Sequence, residues 1–293
     1  MTPTGWTVVA LVVLGGMTVR CSAYDRRPKI VLERSRHAAS DLEVGGSLEG
    51  VRSGETRFIS YKQLAQLPQE SYTVTDDTNF GKTVKISGLA LDALPALLGA
   101  KEGALMLIAI CDDRYEAHYP AAYLRAHHPL LVLKVNGKEP VQWPADVDGV
   151  PMGPYMISHA RYQPAFRVLA HEDEAQVPWG VVRIDVRNES EVYAPIEPRG
   201  PNTNDPVVQQ GYAIARQSCF RCHSSSGEGG LKSTKRWEDL ARKADLDPKY
   251  FDAYVRDPKK VNAKSQMAAS PQYDDATLNA LRRYFSNFAG GSR

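Results

Sequence analysis

The chain has 293 residues, 36 Lys+Arg against 34 Asp+Glu, 43% hydrophobic residues and only 4 cysteines. This composition excludes a disordered or collagen-like chain and a disulfide-stapled mini-domain, and fits one large or two medium domains with real cores. A net charge of +2 without a long basic run excludes a dedicated nucleic-acid binder.

The first element is an apolar stretch from Trp6 to Val19 that ends at Arg20-Cys21-Ser22-Ala23, with small residues at the cleavage positions. It reads as a signal peptide over residues 1–23, which predicts export to the periplasm and Tyr24 as the first mature residue. An uncleaved anchor would leave the same domains outside the inner membrane, and any other membrane contact would come through a partner. Arg20 directly before Cys21 argues against lipidation. Without the leader, Cys111, Cys219 and Cys222 remain, an odd number that does not describe a disulfide framework.

Residues 24–194 mix both periods, which predicts an α+β domain. Phe58 to Tyr61 reads as a strand leading into a short helix that ends before Pro68, and β-branched alternation marks strands at Tyr72–Val74 and Thr83–Gly88. Leu91–Leu98 is a short amphipathic helix, Ala104–Ile110 a buried strand, and Tyr123–Ala126 the end of another helix. Leu130–Val135 reads as a strand turning at Asn136-Gly137, a hairpin signal, and Val181–Val186 alternates again.

Three polar clusters in this domain are candidate sites. Cys111, Asp112, Asp113, Arg114 and His118 gather at a predicted strand end, where either a functional group or a salt-bridged corner would place them. His127-His128 before Pro129 is a metal candidate or, more simply, a solvated loop. Pro154, Tyr155, His159, Arg161 and Tyr162 follow Met152-Gly153 and either line a pocket or close the domain.

The order of the elements resembles the molybdopterin-binding fold of the sulfite oxidase family. The resembling residues are Gly88-Leu89-Ala90-Leu91 with Leu94 and Leu97-Leu98, Ile108-Ala109 with Asp113-Arg114-Tyr115, Pro120 with Tyr123-Leu124, Leu130-Leu131, and Asn136-Gly137, within residues 55–187. In that family a cysteine thiolate before the Gly-x-x-Leu helix binds molybdenum, and residues 50–105 here contain no cysteine. The resemblance therefore implies a sulfite oxidase-like domain without molybdopterin, one that docks a partner or binds a small molecule.

A Pro-, Gly- and Asn-rich stretch over residues 195–204 marks a domain boundary. Beyond it, residues 205–293 read as helical throughout. Asp205-Pro206 opens a helix that runs to Cys219, Trp237–Ala244 has helical spacing, Asp247-Pro248 opens another helix that stops before Asp257-Pro258, and Asp274 caps a last one carrying Leu278, Leu281, Tyr284, Phe285 and Phe288. Between the first two lies Cys219-Phe220-Arg221-Cys222-His223. Cys-x-x-Cys-His is a c-type haem attachment motif, in which the two thiols add to the vinyl groups of one haem and the adjacent His reaches its iron. A zinc site would need further ligands, and no Cys or His follows His223.

These residues resemble a mono-haem class I cytochrome c domain. Gly211-Tyr212 precede the motif, Asp257-Pro258 precede the loop that holds Met267, and Leu281–Phe285 lie in the closing helix. The family often has Pro directly after the ligand Met, whereas Ala268 follows Met267 here. The resemblance implies one haem c, attached through Cys219 and Cys222, with His223 and Met267 as axial iron ligands. From residue 206 onward 15 basic residues face 9 acidic ones, a net +6, and residues 24–205 carry −5, so an acidic partner surface is the natural dock for the haem domain.

The expected function is single-electron transfer to a redox partner protein, with a fused docking or small-molecule-binding domain. A haem-linked oxidoreductase whose N-terminal domain transforms a small substrate is a second reading. A structural haem subunit of a respiratory or photosynthetic complex is a third.

Overall fold

The computed structural model describes residues 30–290, so the signal-peptide reading and the mature terminus lie outside the described residues. In chain order the elements are β1 (Leu42–Gly46), β2 (Arg57–Ile59), α1 (Tyr61–Ala65), β3 (Glu70–Val74), β4 (Val84–Ala90), α2 (Leu94–Leu98), β5 (Met106–Cys111), β6 (Glu116–Tyr119), α3 (Ala121–His127), β7 (Leu130–Val135), β8 (Tyr155–Ser158), β9 (Arg167–Val168), β10 (His171–Glu172), β11 (Trp179–Arg187) and α4 (Glu189–Tyr193). Then come five helices, α5 (Pro206–Ser218), α6 (Trp237–Leu246), α7 (Pro248–Arg256), α8 (Pro258–Val261) and α9 (Asp275–Gly290). Among the described residues no helix is long and apolar enough to cross a membrane.

One mixed sheet organises the α+β part, with β2-β1-β11-β8-β7-β4-β3 in order and β5 joining β11 to β6. β1 runs parallel to β11, while every other pair in the sheet is antiparallel. A register shift at Ser87/Gly88 moves β4 from one face to the other: Val84 and Ile86 join Leu130, Val132 and Met156 in one core, and Leu89 joins Leu107 and Leu131 in another. Gly88 is required there, because a Cβ would stand 1.9 Å from the Leu131 carbonyl oxygen.

Two sequence expectations are refined by these pairings. Asn136 and Gly137 do take the left-handed turn, at φ 51° and 77°, but the chain beyond them forms no strand beside β7. Pro140 opens a single 3-10 turn two residues after Lys138, and β7 pairs with β4 and β8 instead. The unbroken apolar run of β5 reflects burial on both faces: Leu107, Ala109 and Cys111 enter the core of the sheet, while Met106 and Ile108 enter a core shared with the C-terminal helices.

Four of the five C-terminal helices, α5, α7, α8 and α9, start at an Asp side chain, while α6 follows Arg236. Asp205 accepts from the Val207 amide at 2.8 Å, Asp247 from Tyr250 at 3.2 Å, Asp257 from Lys260 at 3.2 Å and Asp274 from Thr277 at 2.8 Å. Pro at the first helical position follows the first three caps. The stretch 195–204 is pinned along α9: the Tyr284 hydroxyl donates to the Ile196 carbonyl at 2.5 Å, Asn287 donates to the Arg199 carbonyl at 2.7 Å, and the Arg199 guanidinium lies 3.9 Å over Phe288.

Candidate functional site

The last turn of α5 presents the Cys-x-x-Cys-His residues. The Cys219 amide donates to Ala215, and the Cys222 and His223 amides both donate to the Cys219 carbonyl, at 3.2 and 3.0 Å, so the two thiols sit on one tight turn. Both thiols are free. The following loop closes on this turn through Gly230-to-Phe220 and Ser233-to-Cys222 backbone bonds, and Gly230 is so close that a Cβ would meet the Arg221 carbonyl oxygen at 1.8 Å.

His223 Nδ1 lies 2.7 Å from the Lys235 carbonyl oxygen. A carbonyl can only accept, so Nδ1 carries the proton and the lone pair is at Nε2, the arrangement of an imidazole ready to bind a metal. Burial pushes the His223 pKa below its ordinary value, with the Lys235 carbonyl opposing, which keeps the ring neutral at pH 7. Phe220, between the thiols, turns into the core and meets Trp237 edge-on, and Trp237 packs on Phe285.

Met267 is half-buried against the same apolar cluster as Cys219. Its loop is tied to α7 at both sides. Tyr254 donates to the Ser265 hydroxyl at 3.0 Å, that hydroxyl accepts from the Met267 amide at 3.3 Å, and Ser270 bonds to the Val255 carbonyl. A cavity of about 370 Å³ opens beside Met267 between residues 257–259 and 265–269. Two free thiols on one turn, a neutral imidazole with its Nε2 uncommitted and a thioether bordering the same apolar cluster form a donor set that fits a haem.

The first N-terminal candidate cluster is brought against this motif. Asp113 pairs with Lys232 at 2.5 Å, the Leu231 amide donates to Arg114, the Glu116 amide donates to Arg221, and His118 lies edge-on to Phe220. Ion pairs Arg187–Glu228, Arg221–Glu174 and Arg216–Glu189 continue the contact. Asp112 and the Arg114 side chain are exposed, and Cys111 is turned into the sheet core, where burial and the neighbouring Asp113 raise its pKa far above the thiol norm. Arg221, in a variable position of the motif, is inserted between Tyr115 and Glu174, and its Nε and Nη2 find no partner among the described residues.

The other two clusters join only in part. His127 is buried on Asp173 at 2.7 Å, while His128 is exposed and ends α3 in the left-handed conformation, so the pair does not face one metal. His159 bonds to the Tyr123 hydroxyl at 2.9 Å and Tyr162 stacks on His127, whereas Arg161 is exposed and the Tyr155 hydroxyl reaches away to Ser40.

Burial and the neighbouring His127 push the His159 pKa down to about 4 from 6.5. In the unfolded chain this His takes its proton near pH 6.5, so stability falls as pH drops from there to about 4, by about 3 kcal/mol for this residue. Denaturant midpoints measured at pH 7 and pH 4.5 should show that loss, and His159→Gln should make it smaller. Equal slopes in the two proteins would contradict the assignment.

No family model matches the chain, and no curated protein matches it. Its structure is similar to that of the sulfane dehydrogenase SoxCD from Paracoccus pantotrophus, at 14% identity and a TM-score of 0.35, over 58% of this chain and 45% of that one. The chain thus spans less than half the length of that protein. A likeness at this level bears on neither activity nor cofactor.

Proposed function

We propose that this chain is an exported c-type cytochrome that passes single electrons, with one haem bound through Cys219 and Cys222 and its iron held by His223 and Met267. The observation that carries the reading is the 2.7 Å bond from His223 Nδ1 to the Lys235 carbonyl, which commits one ring nitrogen and leaves the other for a metal. The haem supplies reversible one-electron chemistry when bound. The residues supply its fixed surroundings. Lys235 holds the imidazole tautomer, Tyr254 and Ser265 hold the Met267 loop, and Phe220, Trp237 and Phe285 keep water from the core. Preset ligands reorganise little when the charge changes, as an electron carrier requires.

The N-terminal domain acts as a fixed cover on the attachment motif in this reading. Its Asp113, Glu174 and Glu189 meet Lys232, Arg221 and Arg216, so part of the attraction between the acidic and basic halves is satisfied within the chain. Lys259, Lys260 and Lys264 stay exposed around the Met267 loop and favour an acidic redox partner on that side.

Covalent attachment is the test. Protein purified from a host competent to mature c-type cytochromes should keep its colour through denaturation and acid-acetone extraction, and its mass should exceed the mature polypeptide by one haem. The Cys219→Ser/Cys222→Ser double variant should yield colourless protein. Colour that passes wholly into the solvent would overturn the proposal.

A further inference from the structure

A chain of buried and half-buried polar side chains runs from the N-terminal domain to the attachment motif. His127 Nε2 bonds to Asp173 Oδ2 at 2.7 Å, and Asp173 Oδ1 bonds to Gln217 Nε2. Gln217 Oε1 in turn bonds to His171 Nε2, His171 Nδ1 lies 2.7 Å from the Tyr273 hydroxyl, and that hydroxyl lies 3.3 Å from Ser218 Oγ, one residue before Cys219. His171 and Asp173 come from one domain, and Gln217, Ser218 and Tyr273 from the other. His171 is 1% exposed and Asp173 2%.

The chemistry of each group sets the direction of every link. A carboxylate only accepts, so the Gln217 amide nitrogen must face Asp173 and its oxygen must face His171. That oxygen can only accept, so His171 carries a hydrogen on Nε2. Neutral His171 then has its lone pair on Nδ1 and accepts from Tyr273, whose oxygen can accept in turn from Ser218. When Nδ1 gains a proton it donates to Tyr273, and the Tyr273 hydrogen swings to Ser218. Both protonation states are fully hydrogen-bonded, so this buried His can change charge without stranding a partner.

On these links we infer that His171 is a redox-linked proton site, at which one proton from water binds Nδ1 when one electron reaches the haem from a redox partner. The inference rests on the proposed haem function. Its physical basis is charge: oxidised haem carries one positive charge more than reduced haem, which opposes a second positive charge on His171. The groups that face His171 set where it titrates. Asp173 and Glu174 of its own segment and Gln217 of α5 favour the cation, Arg221 of the motif opposes it, and burial is the largest influence and also opposes it, so the ring is neutral at pH 7. Tyr273, on the loop before α9, is the remaining neighbour, and Glu172 is occupied by Arg167.

The sign follows. Protonated His171 favours the reduced state, so the haem potential should rise as pH falls through the lowered pKa of His171 and stay level above it. A coupling of about fivefold in proton affinity, the low end for linked sites, corresponds to about 40 mV at about 59 mV per decade. The test is spectroelectrochemistry of the full-length holoprotein from pH 8 down to the acid limit of the folded protein, with His171→Gln beside the wild type. The wild type should show the rise and the variant should show less of it by about that amount. The imidazole resonances of His171 in labelled wild type supply a readout independent of any variant, and should titrate at higher pH in the reduced protein than in the oxidised one. Equal titration in the two states, or an unchanged pH profile in His171→Gln, overturns the proton site while leaving the cytochrome reading intact. Protein that carries no haem overturns both, and haem content is measured first.

Discussion

Replacing Met267 by alanine is expected to let carbon monoxide bind the reduced holoprotein rapidly, while the wild type binds it slowly. With the proposed ligation an external ligand must first displace the Met267 thioether, whose loop is held by Tyr254, Ser265 and Ser270. Alanine offers no donor, so the sixth position opens and the rate of carbon monoxide binding should rise roughly tenfold or more. The potential should fall, because the thioether favours reduced iron, and the weak sulfur-to-iron band of the oxidised protein should vanish. Met267 is only half-buried, so its truncation should cost less than the 2 to 5 kcal/mol, roughly, of a core Met and leave the fold in place. Rapid binding and a missing band in the wild type would mean that Met267 is not the ligand. His171 is not placed to substitute, since both of its nitrogens are bonded, whereas His159 keeps an Nδ1 without a partner among the described residues.

The helical half was legible because its signals are local. Three Asp caps, two of them followed by Pro, and a Cys-x-x-Cys-His run lie within short windows of sequence, and α5, α7 and α9 begin at those caps, whereas Asp257-Pro258, read as a helix stop, also opens the short α8. The sheet was legible only where a strand alternates or is wholly apolar. β6 was missed because Glu116 and His118 break its apolar character, although the strand is mostly buried: His118 is paired with Glu116 and lies against Phe220 of the other domain. β1 and β8 were missed for a different reason. β1 ends in two glycines, and β8 is a short run, Tyr155–Ser158, whose pairing with β7 and β11 is set by residues far along the chain.

The polar chain of His171, Gln217 and Tyr273 carried no sequence signal at all, since its members are separated by 46 and 102 positions and none forms a motif with its neighbours. Arg221 and the Lys235 carbonyl were hidden in other ways. The first occupies a variable position of the attachment motif, and the second acts through its backbone, so side-chain identity reveals neither.

Gly211→Val should be the most damaging single change in the helical half. Gly211 sits inside α5, where left-handed freedom is not needed and glycine costs about 1 kcal/mol of helix propensity against alanine. The reason for it is proximity. A Cβ at this position would stand 2.0 Å from the Ala280 carbonyl oxygen, 2.6 Å from its carbon and 2.7 Å from the Tyr284 Cβ. Two of those atoms are backbone of α9, so no rotamer change relieves the contact and the helices themselves must separate. Separation strips Tyr284 from its bonds to Trp237 and the Ile196 carbonyl, and loosens the Trp237–Phe285 contact beneath the attachment turn. Overpacking of about 3 kcal/mol or more should lower the thermal midpoint by about 10 °C. Gly211→Ala decides the mechanism: its better helix propensity would raise the midpoint if propensity governed, and the clash should lower it instead. A midpoint for Gly211→Val equal to the wild type would mean that α5 and α9 do not cross at this distance.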